Sequence, residues 1–534
     1  MNFKSIITGA LLLAASQTVV AQTEMTLSED IMAEALMKAY NSLLAEDPHD
    51  YEALFRRASE YYRRDDYIKA LADIDLALKY IPESEVDMRS EAYSLRANIQ
   101  MMNHRYENAL ADLNSVLALN PGSFVTIYQR ATALYNLGRY AEAKNDFKIM
   151  QQMNPRSQEA LFGLARVAVK ENNLGLANEL IDNAVGLTPA SSTVYMRRAD
   201  VRTMMGNTQG AVEDYIMAIS SDEANTPGAL ARLVDLSRKD YPVVVAGLTN
   251  SIRQAPRNGL FYYLRAMIAQ GHCNYTAAIA DYDKILNDGL ESYPGINASL
   301  AECYYALGNY DAAEMNIDYA VGATSNNVDY YVLKSSIELA LGNAENALSC
   351  AEKALEKDPN NNPALIAKAK AQIALKEYAD ASVALSEAAM NDPENPELFI
   401  LRGWMLEKYR NNTKSAQSCF ERVLDMDFDF DNVRSLRGFA LLYLERQDEA
   451  VRWMNRILDT ATDYDGMINY YGACLYAWVG NTDKAFKCMN TSLEKGYANF
   501  HNWTKADEAN LNVAPLRGDK RFTELINKYS IIFK

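Results

Sequence analysis

The chain has 534 residues, of which 49% are hydrophobic and 23% charged, and its formal net charge is −17. This composition predicts a packed core rather than a disordered chain. The negative charge disfavours nucleic acid and anionic lipid surfaces as partners, because both repel an acidic protein. With 24 glycines and 14 prolines, the chain favours helices joined by short connections over a sandwich or a barrel.

The first 21 residues, "MNFKSIITGALLLAASQTVVA", have the pattern of a secretory signal. Lys4 precedes an apolar run from Ile6 to Ala15, and small residues end at Ala21. We expect cleavage after Ala21, export to a periplasm and no membrane insertion afterwards, since the apolar run is too short to span a bilayer. A buried N-terminal helix is the alternative interpretation, and secreted or cell-surface locations are the alternatives to the periplasm.

A 34-residue pattern follows and recurs along most of the chain. The segment "RYENALADLNSVLALNPGS" at residues 105–123 has the same pattern as "RYAEAKNDFKIMQQMNPRS" and "EYADASVALSEAAMNDPEN". We number the places of each repeat from 1 to 34, with the closing proline at place 32. Place 8 is Ala, Gly or Ser in nearly every repeat. Place 20 is alanine at Ala70, Ala109, Ala143, Ala177, Ala211, Ala278, Ala313, Ala347, Ala381, Ala416, Ala450 and Ala485.

Each repeat is predicted to form two short antiparallel helices. Apolar residues within each half follow helical spacing, and a break such as Leu137-Gly138-Arg139 lies near place 15. Small residues at places 8 and 20 would let the two backbones approach where the helices cross. One hairpin cannot bury its apolar face alone, so the repeats must stack.

This pattern resembles that of tetratricopeptide repeat proteins over roughly residues 30–496. The resemblance implies an all-α, right-handed superhelical solenoid of about 12–13 helix-turn-helix repeats with a concave groove. We divide the chain accordingly, with a boundary repeat that lacks the place-20 alanine and has Pro242 near the start of its second helix. The segments are the signal peptide at 1–21, an N-terminal helix or half repeat at 22–50, a first sub-array at 51–223, an irregular repeat at 224–256, a second sub-array at 257–496 and a C-terminal cap at 497–534.

Charged residues also recur at fixed places. Place 7 is arginine in seven repeats, and place 23 is aspartate in five of these. In a hairpin that turns at place 15, the two places are symmetric and should face each other. We predict five structural ion pairs, with solvated charges as the alternative: Arg57 with Asp73, Arg96 with Asp112, Arg130 with Asp146, Arg198 with Asp214, and Arg265 with Asp281.

The resemblance implies that the first helix of each repeat lines the groove. Tyr and Trp anchor interfaces because they bury a large area at low entropic cost. Packing between repeats is the competing explanation for such aromatic residues. The candidate binding residues are Trp404, Phe439, Tyr443, Tyr470, Trp478, Tyr128, Tyr135 and Tyr263.

No catalytic constellation accompanies the repeats. The four histidines lack a plausible triad, and phosphate-binding and HExxH motifs are absent from the sequence. The acidic stretch "DMDFDFDN" does not match a calcium loop, because Asn432 and Gly438 occupy the positions that need glycine and glutamate. The six cysteines match no metal or CxxC spacing, so we favour buried free thiols over disulfides. The sequence predicts no catalytic residues, no cofactor and no metal.

A chain built almost wholly of such repeats presents a surface for holding a partner. We predict a non-enzymatic exported scaffold that binds protein or peptide segments, with basic partners favoured by the acidic charge. The alternative is a carbohydrate-binding or other ligand-binding module of the cell envelope, since aromatic platforms also stack on sugar rings. Family members that grip a C-terminal carboxylate use Lys, Asn and Arg at set places, and this chain does not reproduce that pattern.

Overall fold

The fold is described from a computed structural model of the whole chain. It describes residues 34–188, 191–221, 226–290, 293, 295–426, 431–463, 465–504 and 512–533. Every regular element in these ranges is helical, and no strand occurs among them. Helix follows helix along the chain, which confirms the predicted all-α repeat solenoid. None of the described helices combines the length and the apolar character that crossing a membrane requires. The predicted signal peptide lies outside the described residues.

The described chain divides into two compact bodies, which we call the N-terminal array (residues 34–236) and the C-terminal array (residues 237–533). A helical segment at residues 34–46 precedes the first complete hairpin. The helices that begin in the N-terminal array are α1 Tyr51–Arg63, α2 Tyr67–Tyr80, α3 Val86–Met102, α4 Tyr106–Leu119, α5 Phe124–Asn136, α6 Tyr140–Met153, α7 Gln158–Lys170, α8 Leu174–Leu187, α9 Ser192–Met204, α10 Thr208–Ser221 and α11 Thr226–Lys239.

The C-terminal array continues the same alternation and ends in shorter elements. These helices are α12 Tyr241–Gln254, α13 Gly259–Gly271, α14 Tyr275–Asn287, α15 Ile296–Ala306, α16 Tyr310–Ala323, α17 Val328–Leu341, α18 Ala344–Lys357, α19 Asn362–Ala374, α20 Tyr378–Asn391, α21 Pro396–Arg410, α22 Thr413–Asp425, α23 Asp431–Tyr443, α24 Gln447–Thr460, α25 Met467–Val479, α26 Thr482–Glu494, α27 Phe500–Thr504 and α28 Lys520–Phe533, with a 3₁₀ turn at Ala514–Leu516 before α28.

Within each array, odd-numbered helices pack on the even-numbered helices that follow them, as α1 does on α2 and α17 on α18, and small residues let them approach. The place-20 alanines Ala70, Ala109 and Ala143 are fully buried. In the repeat of α17 and α18, the hydroxyl of Ser335 at place 8 donates to the carbonyl of Ala347 at place 20, 2.8 Å away. At Gly403, a Cβ would lie 2.5 Å from the ring of Phe420, so only glycine fits that place 8. The predicted crossing of places 8 and 20 is therefore present.

The boundary between the arrays lies in α11, inside the irregular repeat. Pro242 occupies the first turn of α12, where a missing N–H leaves no bond unmade. Asp240 caps this helix by accepting from the backbone N–H of Val243 at 3.3 Å. The second helix of the irregular repeat is thus preserved, as expected from the position of its proline.

All five predicted Arg–Asp pairs are present. In each hairpin, the arginine Nε and Nη2 atoms donate to the two aspartate oxygens at 2.6–2.9 Å. The aspartates are buried, and Asp146 is only 2% exposed. The bidentate bond to Asp146 raises the pKa of Arg130 above its usual value. The pairs are partly buried structural elements, not the solvated charges of the alternative interpretation.

Each of these arginines has a third partner, which the repeat pattern does not predict. The remaining Nη1 atom reaches place 25 of the preceding repeat, so that one guanidinium joins two repeats. These bonds run from Arg57 to Asn41, Arg96 to Asp75, Arg130 to Asn114, Arg198 to Asp182, and Arg265 to Thr249, at 2.7–3.5 Å.

The Arg130–Asp146 pair gives the first testable prediction. Truncation of either residue to alanine leaves a partly buried charge without its partner, and we expect each to lower the free energy of unfolding by about 3 kcal/mol. A double-mutant cycle from urea unfolding should return a coupling energy above about 1 kcal/mol. Exposed Arg139 and Glu142, which form a comparable pair on the surface, serve as the control. Zero coupling for Arg130 and Asp146 would contradict a structural role.

The six cysteines are all free and buried, as the sequence analysis favoured. Burial raises the pKa of Cys273 and of Cys474 to about 12, and that of Cys488 to about 11. Unfolded thiols ionise near pH 8.5, whereas these three stay protonated in the fold. Their contribution to stability is therefore complete below about pH 8.5 and is lost as the pH rises towards the folded pKa values.

Accordingly, we expect the free energy of unfolding to fall between pH 8.5 and pH 10.5. Each of the three thiols should contribute a slope of about 1.4 kcal/mol per pH unit. Cys488→Ser removes one ionising group and should flatten the curve by that amount, whatever its effect at pH 7. Parallel curves for the variant and the native chain, measured by urea unfolding across this range, would show that the thiol does not control the slope.

Candidate functional site

Several neighbouring first helices also pack on each other, as α7 and α9 do in the N-terminal array and α23 and α25 in the C-terminal array, so that their side chains share a surface. We call this surface the inner face. In the C-terminal array, Trp404, Phe439, Tyr470 and Tyr263 lie on it but are less than 9% exposed. Ligand binding by the eight candidate aromatic residues stays a prediction, and the structure shows what most of them pack against.

Tyr470 belongs to a buried aromatic cluster that closes over the last repeat. Its ring stacks on Tyr497 at 5.0 Å and meets the edge of Trp503 at 4.8 Å between ring centroids. Trp503 is completely buried and Tyr497 is 2% exposed. Phe439 reaches the same cluster through Tyr471. Residues 496–504, which we call the C-terminal segment, therefore cover the aromatic inner face at this end of the array.

The C-terminal segment also contacts a repeat almost 200 residues earlier in the chain. His501 lies between two hydroxyl groups, with Nε2 3.0 Å from Tyr305 and Nδ1 2.8 Å from Tyr310. Its ring lies 4.4 Å from that of Tyr305. α15 and α27 pack on each other. Parts of the inner face of the C-terminal array, around Tyr305 and Tyr470, are thus occupied by a segment of the same chain.

The remaining candidates of this array pack locally. Tyr443 stacks on Phe420 at 4.7 Å, and burial raises its pKa above the usual value. Trp404 meets the edge of Tyr409 at 5.4 Å. Trp478 is half exposed, and its indole Nε1 donates to the carbonyl of Asn512 at 2.7 Å. Trp478 is the most accessible of the eight candidates.

Tyr263 is enclosed by its neighbours in α14 and the following turn. Its ring stacks on Tyr293 at 4.8 Å and lies 6.2 Å from that of Tyr282. Burial raises the pKa of Tyr263 above its usual range. This side chain contributes to packing between repeats rather than to an open surface.

The inner face of the N-terminal array is more polar and partly exposed. The amide of Gln129 donates to Asn98 of the preceding first helix at 2.7 Å. The guanidinium of Arg166 lies 4.2 Å from the ring centroid of Tyr135, across the next junction. Tyr128 and Arg166 are both partly exposed, whereas Tyr135 is buried beneath the guanidinium. This face offers hydrogen-bond donors and one aromatic ring.

A second polar group lies at the end of this face. Asp200 accepts from the hydroxyl of Tyr215 at 2.8 Å and from Arg232 at 2.6 Å. Burial raises the pKa of Asp200, while both hydrogen bonds and the charge of Arg166 act in the opposite direction. Burial also raises the pKa of Tyr215 to about 12. Asp200 is thus held as the acceptor of a fixed network.

A cavity of about 280 Å³ lies in the C-terminal array where α11 ends and α12 begins. It is lined by residues 237–242 together with His272, Asn274, Lys495 and Gly496. His272 contacts the hydroxyl of Ser237 at 3.0 Å, and burial lowers its pKa to about 4. His272 is therefore neutral at physiological pH.

The other histidines lie in the N-terminal array and contact tyrosine side chains. His49 packs on Tyr80, and His104 accompanies Tyr106 at a hairpin turn. Within the described ranges, no group of three or more His, Cys, Asp or Glu residues could hold a metal ion. Half of the acidic stretch after α22, including Asp427 and Asp429, lies outside these ranges.

Sequence reasoning missed the polar residues that join first helices. The residue type at the places of Gln129, Arg166 and Arg232 differs from repeat to repeat, so no periodic pattern identifies these three residues. Asn98 and Arg166 both occupy place 9. The residues at this place do not follow the family pattern that grips a C-terminal carboxylate, and their polar character by itself was not used as a signal. His501 lies after the last repeat, where the numbering ends. A local excess of polar residues at place 9 is the signal that could have identified the N-terminal face.

Comparisons with known proteins agree with the repeat architecture. Family models of the tetratricopeptide repeat match residues 128–192 and 338–405. The mitochondrial import receptor subunit TOM70 of Homo sapiens is 24% identical over 153 residues, which are 27% of this chain and 24% of that protein. The human subunit TOM34 is 28% identical over 149 residues, or 27% of this chain and 48% of that protein. The chain thus matches between a quarter and a half of the length of these relatives.

Two solved structures of similar proteins align with a larger share of this chain, but their sequence identity and TM-scores are low. A tetratricopeptide repeat protein from Parabacteroides merdae is 18% identical and covers 60% of this chain and 98% of its own, with a TM-score of 0.28. Yeast Tom70 is 16% identical and covers 74% of this chain and 96% of its own, with a TM-score of 0.35.

The family-model matches fall on hairpins of both arrays, and the same places recur in repeats outside them. Thirteen helical pairs, from α1 with α2 to α25 with α26, follow one another in the described chain. Small residues at the helix crossing and a proline at the end of the hairpin recur along the series. The chain is a tetratricopeptide repeat protein.

Proposed function

We propose that the chain is a non-enzymatic, exported scaffold that binds protein or peptide segments on the inner face of its N-terminal array. The single observation that carries this assignment is the difference between the two inner faces. In the C-terminal array, residues 496–504 bury the aromatic cluster around Tyr470. In the N-terminal array, Tyr128, Gln129 and Arg166 remain partly exposed.

The exposed groups of the N-terminal face suit an extended segment of polypeptide. Amides such as Asn98 and Gln129 can donate to and accept from a peptide backbone. The guanidinium of Arg166 is already oriented by Tyr135, so it loses little freedom when it binds a carbonyl or carboxylate oxygen. The net charge of −17 favours segments with basic residues flanking such a contact. The relatives named as import receptor subunits support a protein-binding role.

Binding is tested by capturing partners with the mature chain and titrating peptides from a captured partner by fluorescence anisotropy. We expect Arg166→Ala combined with Gln129→Ala to weaken peptide binding by about tenfold or more, because both donors are lost from the face. Lys148→Ala combined with Gln152→Ala is the matched control, since these exposed residues lie on α6 of the same array. The control should bind as the native chain does.

A second variant separates the two inner faces. Trp404→Ala, Tyr443→Ala and Trp478→Ala together change candidate residues of the C-terminal array only. If this variant loses the peptide while the Arg166 and Gln129 variant keeps it, the site lies in the C-terminal array and our assignment is wrong. Circular dichroism of each variant confirms that its helices are formed.

The export part of the proposal rests on residues 1–21. Leu12→Arg places a charge in the apolar run of the signal, and we expect the chain to remain inside the cell and uncleaved. Fractionation of bacteria that express the native chain should instead recover a periplasmic protein beginning at Gln22. Export of the Leu12→Arg variant at the native level would contradict the signal.

A further inference from the structure

The C-terminal segment meets the inner face of the C-terminal array through side chains. His501 hydrogen-bonds to the hydroxyls of Tyr305 and Tyr310, at 3.0 and 2.8 Å. Tyr470 presents its hydroxyl to the carbonyl of Asn502 at 3.5 Å. Contacts of this kind resemble those between a short peptide and a receptor, where a few anchoring side chains supply most of the binding energy.

The segment also organises its own conformation. Trp503 donates its indole N–H to the carbonyl of Tyr497 at 3.2 Å, and the amide of Asn502 donates to the Tyr497 hydroxyl at 2.7 Å. The backbone N–H of Asn502 is capped by Asn499 at 3.0 Å. A segment that holds its bound shape through internal bonds loses less entropy when it docks. These bonds do not involve the inner face, so they can persist when the segment leaves it.

The segment covers a thiol that can report its position. Cys273 follows α13 and is 6% exposed. Lys495 and Gly496 line one cavity together with His272 and Asn274, the residues on either side of Cys273. A Cβ added at Gly496 would lie 3.9 Å from the carbonyl oxygen of His272. Departure of the segment would therefore expose Cys273 to solvent.

We propose that the surface formed by Tyr305 of α15 and Tyr310 of α16 is a binding site for short aromatic segments that carry a histidine, and that residues 496–504 are its resident ligand. The partner that this site fits is a protein segment with the order aromatic, histidine, one residue, tryptophan, as in Phe500-His501-Asn502-Trp503. Such a partner competes with the segment for Tyr305 and Tyr310 while the repeats stay folded. This site lies in the C-terminal array and is independent of the one proposed above.

Labelling of Cys273 tests this proposal in the full mature chain. Maleimide is added to the native chain and to His501→Ala, and each cysteine is followed separately by peptide mass spectrometry. Loss of two hydrogen bonds should raise the labelling rate of Cys273 by about tenfold. Tyr310→Phe removes one hydroxyl without changing the packing volume and should raise the rate about fivefold. Cys350 and Cys419 should keep their native rates in both variants.

His104→Ala is the matched control, because His104 also contacts a tyrosine hydroxyl but lies at a turn of the N-terminal array. It should leave the rate at Cys273 unchanged. A synthetic peptide with the sequence of residues 495–504 should slow labelling of Cys273 in His501→Ala in a saturable manner. The same peptide with alanine in place of its histidine should have no such effect.

Two outcomes would overturn the proposal. If all six thiols of His501→Ala label faster together, the segment is part of one cooperative core and is not a separable ligand. If Cys273 labels faster but the peptide gives no protection, the inner face has no site for an added segment. Because these readouts concern only the C-terminal array, they remain distinguishable from failure of peptide binding at Arg166.

Discussion

In five repeats, a single guanidinium group fixes both the hairpin and its junction with the preceding repeat. In the repeat of Arg130, Nε and Nη2 bind Asp146 of the same hairpin while Nη1 binds Asn114 of the preceding one. Only arginine has a planar fork with enough N–H groups to satisfy three acceptors in fixed directions. The spacing of neighbouring repeats therefore depends on the same residue that closes each hairpin, and the inner face inherits that spacing.

In later repeats, the arginine of place 7 or the aspartate of place 23 is replaced, and the contacts between the helices differ. Lys334 and Lys368 occupy place 7 and form ion pairs with Asp318 and Glu352 of the preceding repeat, at 2.5 and 3.9 Å. Further on, Arg437 lies 4.9 Å over the ring of Trp453, which stands where earlier repeats have aspartate. In this repeat, a cation–π contact thus stands where earlier repeats have an ion pair. The aromatic cluster of the C-terminal segment lies in this same part of the chain.

The sequence predicted those parts of the structure that repeat. The helix alternation, the small residues at the crossing and the five Arg–Asp pairs each appear many times, so a periodic signal reveals them. The bonds to place 25 were missed because their acceptors differ, being Asn41, Asp75 and Thr249 among others. The contact of His501 with Tyr305 joins residues 196 positions apart. It occurs once, after the repeats end, so no local or periodic pattern marks it.

This contact changes how the aromatic residues of the C-terminal array should be interpreted. A continuous surface of tyrosine and tryptophan exposed to water is costly and prone to association. Residues 496–504 reduce that cost by burying Tyr470 with Tyr497 and Trp503. The N-terminal face needs no such cover, because Asn98, Gln129 and Arg166 are polar. A high density of aromatic residues on a repeat face can therefore indicate that a segment of the same chain is bound there, whereas a partner of the polar face has no such segment to displace.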